Sequence, residues 1–152
     1  MNESATLLRH QVALLWVMTA IGSLIYAVMQ LLTYLSAYIA NHGATPEIVL
    51  DAGALWAFAI LYVLWLVPPL LAVTVRSGAA NWSMLLLGGL LVLGGTLGGI
   101  FDGIRDGGHI MATALIAVTL PGVIALRATW RLLRNDRNLV VNSRAAHDGA
   151  PG

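Results

Sequence analysis

The sequence predicts an all-α integral membrane protein, a bundle of four transmembrane helices with both termini in the cytoplasm. Three observations lead there. Of its 152 residues 59% are hydrophobic and only 10% charged, the apolar residues fall into four long blocks, and the arginines gather between and beyond those blocks on one side. Soluble domains carry about 25% charged residues, because a surface facing water needs them. A chain this poor in charge belongs to the membrane class before any motif is considered.

A helix needs roughly 20 apolar residues to cross about 30 Å of hydrocarbon. The first candidate, about 12–40, holds no formal charge and is too long for a signal-peptide core of about 7–15 residues. It reads as an uncleaved span, stopped by Asn41-His42-Gly43. Thr45-Pro46-Glu47 is a start signal: a capping hydroxyl, a proline suited to the first turn, and a carboxylate for the positive dipole end. The second span, about 52–75, ends at Arg76-Ser77-Gly78. The third is about 82–101 and the fourth about 110–126, separated by Asp106-Gly107-Gly108.

Residues 1–134 therefore form one transmembrane domain, with the fourth helix continuing as a basic interfacial segment to about 134. There Arg127, Arg131 and Arg134 recur at helical spacing around Trp130, the pattern of a lipid-headgroup anchor. Residues 135–152 are polar, too poor in apolar groups to fold alone, and read as a disordered cytoplasmic tail.

Charge sets the orientation. With both ends inside, Arg9, Arg76 and the arginines of the C-terminal quarter are cytoplasmic, and Arg105 alone is outside with Glu47, Asp51, Asp102 and Asp106. The absence of lysine and the abundance of alanine point to a GC-rich bacterial genome as the origin, and the expected location is a bacterial inner membrane. The absence of cysteine removes disulfides, thiolate metal sites and thiol redox chemistry.

Three features bear on function. The third helix carries Gly88, Gly95, Gly99 and Gly103 on one stripe and Gly94 and Gly98 on a second. In lipid, small residues four apart let two backbones approach closely, so two stripes imply two close neighbours, in this chain or another. Pro68-Pro69 and Pro121 break the second and fourth helices, as proline removes a backbone donor. At the outer face, His42, Asp102, Asp106 and His109 gather nitrogen and oxygen donors at one depth, with Met111 nearby, a weak candidate set for zinc or copper. An acidic rim in contact with water explains the same residues more simply.

No histidine lies within a span, which excludes a bis-histidine haem in the bilayer. No charge lies near a span's midplane, where ion-coupled carriers place one. No phosphate-binding loop, metalloprotease motif or nucleophile elbow is present, and neither a cofactor nor a nucleic-acid partner is implied. The first expectation is thus a non-catalytic accessory, assembly or self-associating subunit, with the third helix contacting another copy or another membrane protein. The alternatives are an oligomeric pore or small-solute transporter lined by Thr19, Ser23, Gln30, Thr33, Thr96, Thr113 and Thr119, and a metal-handling protein using the outer histidines.

Overall fold

A computed structural model describes the backbone of residues 3–41 and 51–148 and the side chains of 6–41 and 51–135. Every element among the described residues is helical: α1 (Glu3–Ala40), α2 (Ala52–Leu64), α3 (Val67–Thr74), α4 (Gly78–Asp106), α5 (Gly108–Thr113), a π-helical segment (Ala114–Thr119) and α6 (Leu120–Asp148). They compose four helices long and apolar enough to cross a membrane: Thr6–Ala40, Ala52–Thr74, Gly78–Asp106 and Gly108–Asn135.

The first, third and fourth spans are longer than their apolar blocks, whereas the second matches its own to within a residue. At 38 residues α1 extends about 57 Å at 1.5 Å per residue, against about 30 Å of hydrocarbon. It starts at Glu3 rather than near 12 because Leu7, Leu8 and Arg9 favour helix as much as the apolar residues after them. α4 starts at Gly78 rather than near 82, because Ser77 accepts a hydrogen bond from the Ala80 amide at 3.1 Å and caps it. It also runs past 101 to Asp106, so Asp102 and Arg105 are helical residues rather than loop residues. α6 continues helical to Asp148, through much of the stretch expected as a disordered tail. Propensity alone does not favour this, but a helix already nucleated upstream extends at low cost.

Proline shapes two spans. Pro68 and Pro69 stand in the first turn of α3, where their missing amides are harmless, but they leave no α-helical donor for the carbonyls one turn earlier. The second span therefore breaks at Trp65-Leu66, through tight turns from Trp65 to Tyr62 at 3.3 Å and from Leu66 to Val63 at 3.0 Å. In the fourth span Pro121 has no N–H for the Ala117 carbonyl four residues back, and the preceding turns widen into the π-helical segment.

The core forms where α1, α3, α4 and the fourth span meet. Val12, Trp16, Met84, Leu132 and Val118 are fully enclosed there. The Trp16 indole N–H donates to Thr129 Oγ1 at 3.1 Å, and that hydroxyl donates to the Ala125 carbonyl at 2.8 Å, so these two buried side chains are both satisfied. At one end of the bundle Arg9 donates to the Val75 carbonyl at 3.1 Å, closing the end of α3. Near it Trp82 and Trp130 meet edge to face, with centroids 6.2 Å apart. Arg127, Arg131 and Arg134 are exposed on α6 at this end. Asp102, Asp106 and His109 lie at the other.

Candidate functional site

The six candidate packing glycines of α4 divide into two behaviours. Gly88 lies under the Trp16 indole, Gly99 against the Ala114 methyl, and Gly103 against the Met111 backbone. A Cβ at Gly95 would stand 3.1 Å from Val118. This stripe is filled by α1 and the fourth span of the same chain, the close approach that small residues allow. Gly94 and Gly98 are different: a Cβ on either would meet nothing within 4 Å among the described residues. Among the described residues the second stripe has no close neighbour within this chain, because α2 leans away from the bundle.

That tilt shows in burial. No residue of α2 is buried, and Trp56 is 70% exposed. Only beyond the proline break does the second span return to the core, through Trp65, Pro68, Pro69 and Ala72. The wedge left between α2, α1 and α4 is a cavity of about 860 Å³. Gly94 and Gly98 form part of its α4 wall, and Tyr34, Phe58, Tyr62 and Trp65 give it an aromatic lining.

Polar groups converge at one end of it. Asp102 is turned into the cavity, where its Oδ2 accepts hydrogen bonds from the Tyr26 hydroxyl and from Gln30 Nε2. Gln30 Nε2 also donates to the Tyr26 oxygen at 2.9 Å, closing a three-membered network. Tyr26 and Gln30 are one turn apart on α1 and present one face to α4. Ser23 continues that face deeper. Arg105 stands at the rim, 77% exposed, its Nε 3.4 Å from Asp106 Oδ1.

The outer donor set does not assemble as a metal centre among the described residues, where no group of three or more His, Cys, Asp or Glu side chains is brought together. Asp102 is held by Tyr26 and Gln30, Asp106 faces Arg105, and Met111 packs on Gly103. The His109 ring is 3.3 Å from Thr33 Oγ1. His42 lies outside the described residues.

The hydroxyls considered as a solute path are mostly satisfied locally. Thr19 donates to the Leu15 carbonyl at 2.8 Å and Thr113 to that of His109 at 2.8 Å, while Thr96 and Thr119 bond to each other at 2.8 Å. Of that set only Ser23 and Gln30 reach the cavity. The sequence signal that points to the site is the run Ser23, Tyr26 and Gln30, three polar-tipped residues on one face of α1. Tyr26 was not singled out from sequence, nor was Gly22. A Cβ at Gly22 would overlap the Ala117 carbonyl of the π-helical segment, so its bare backbone is what admits the fourth span there. Compared with protein-family models, with curated proteins and with solved structures, the chain matches none of them.

Proposed function

We propose that this chain is a small membrane protein that binds rather than reacts, taking an amphipathic small molecule from the bilayer into the cavity between α1, α2 and α4. It belongs on this reading to the small-solute binding or transport class. The observation that supports it most is the Tyr26–Gln30–Asp102 network set into an aromatic-lined cavity of about 860 Å³. Ligand sites are typically about 300–1,000 Å³, largely apolar, with a few convergent polar groups that fix orientation. The arginine distribution favours a cell membrane of bacterial inner-membrane type, with both termini cytoplasmic and the Asp102 end outward. Exposed Arg127, Trp130, Arg131 and Arg134 then lie at the inner headgroup level.

A second reading is supported by Gly94 and Gly98. An open small-residue stripe also suits a helix of another copy or of another membrane protein, making the chain an accessory or self-associating subunit. Both readings use one groove, so one experiment separates them. The full chain is purified in mild detergent, and its bound small molecules and proteins are identified by mass spectrometry, alongside Gly94→Leu Gly98→Leu. The solute reading expects a small molecule retained by the parent and lost from the variant. A co-purifying protein, or a dimer, lost from the variant with no small molecule in either would replace it with the subunit reading.

A further inference from the structure

The cavity has a definite chemical polarity, and this inference rests on the solute reading above. Asp102 Oδ2 accepts two hydrogen bonds from α1, which fix the carboxylate in place. Its Oδ1 accepts none among the described residues. A carboxylate so held, with one oxygen unengaged among the described residues and on the wall of a half-open, largely apolar cavity, favours a positive charge or a strong donor. The walls agree in sign: Tyr26, Tyr34, Phe58, Tyr62 and Trp65 line the same space. Aromatic faces carry negative potential and attract organic cations, above all those too substituted to be well hydrated. Arg105, the positive group at the rim, has a carboxylate partner of its own in Asp106.

We propose that the cavity binds an organic cation carried on an apolar body, an alkyl- or aryl-substituted ammonium or similar onium ion. Asp102 lies one turn from the end of α4, whereas Trp65 and Val118 lie much deeper. The ligand's charge therefore sits beside Asp102 at the level where hydrocarbon meets headgroups, and its apolar body points inward along Gly98 and Gly94. Two sources share this chemistry: a free lipophilic cation, and a lipid whose headgroup ends in an ammonium.

The full chain in a neutral detergent is titrated with tetraphenylphosphonium and, as an uncharged comparator of similar bulk, triphenylphosphine oxide, by equilibrium dialysis. The cation binds saturably and about tenfold tighter than the comparator, the margin expected of a hydrogen-bonded contact with a half-buried charge. Asp102→Asn, which keeps an oxygen acceptor and removes the charge, weakens the cation about tenfold and leaves the comparator unchanged. Phe58→Leu alters an exposed side chain that the fold does not rest on, and weakens the cation about threefold while sparing the comparator. In nanodiscs, phosphatidylethanolamine lowers the apparent affinity for the probe relative to phosphatidylglycerol alone if the lipid is the natural occupant. Unchanged affinity assigns the site to a free cation.

Equal binding of cation and comparator, insensitive to Asp102→Asn and Phe58→Leu, overturns the cation assignment and leaves the cavity reading standing. Binding of neither probe removes both.

Discussion

Gly98 and Gly99 are adjacent on α4, yet alanine at the two positions should change stability in opposite directions. Alanine in a helix interior is favoured over glycine by about 1 kcal/mol, and both positions gain that equally. At Gly98 the new methyl meets nothing within 4 Å, so the gain stands. At Gly99 it would overlap the Ala114 Cβ, with the Ala114 Cα 3.6 Å away. Neither atom can rotate aside, so α4 and the fourth span must separate. Overpacking of this kind costs about 1–3 kcal/mol, and atoms fixed to the backbone put this case at the upper end. Net of the helix gain, Gly99→Ala should lose about 2 kcal/mol, a gap of about 3 kcal/mol between neighbours. Reversible unfolding of the detergent-solubilised protein by dodecyl sulfate, followed by tryptophan fluorescence, measures it. Stabilisation by Gly99→Ala, or equal loss in both variants, would refute the packing described for this stripe.

Gly22→Ala should be at least as damaging as Gly99→Ala in the same assay, since its Cβ would enter the Ala117 carbonyl. A neutral result would mean that α1 and the π-helical segment are not in backbone contact. Trp16→Phe and Thr129→Val, combined in a double-mutant cycle, should show a coupling of about 1 kcal/mol for their buried hydrogen bond; additive losses would rule that bond out. Because the chain has no cysteine, single cysteines at Asn2, Gly108 and Ser143 report sidedness without background, Gly108 being open to a side chain. An impermeant thiol reagent on intact cells should label only the Gly108 variant, and labelling at Asn2 or Ser143 would invert the orientation.

The four spans were legible in the sequence because a bilayer imposes one overriding requirement, about 20 apolar residues in a helix, and a linear pattern carries it. Their ends were less so. Ser77 caps α4 and Asp102 to Asp106 prolong it, which apolar run length does not register. The glycine stripes were also legible, but not their use, since spacing gives the face of a helix and not its neighbour. Asp102 shows the limit most clearly. As a letter next to a glycine-rich turn it reads as part of an acidic rim in contact with water, and only the approach of α1 turns it into the acceptor of Tyr26 and Gln30. The cavity was not legible at all. It exists because α2 diverges, and divergence is a property of the packed bundle.

The break at Trp65-Leu66 separates the second span into parts with unequal obligations. Residues after it are held in the core by Pro68, Pro69 and Ala72, whereas α2 contributes no buried side chain to that core. Free energy lost from α2 is therefore not free energy lost from the bundle, and the two can respond to perturbation as separate cooperative units. The α2 wall of the cavity should accordingly open at lower free-energy cost than the walls on α1 and α4. Substitutions along α2 can therefore change the shape of the cavity with little penalty to folding.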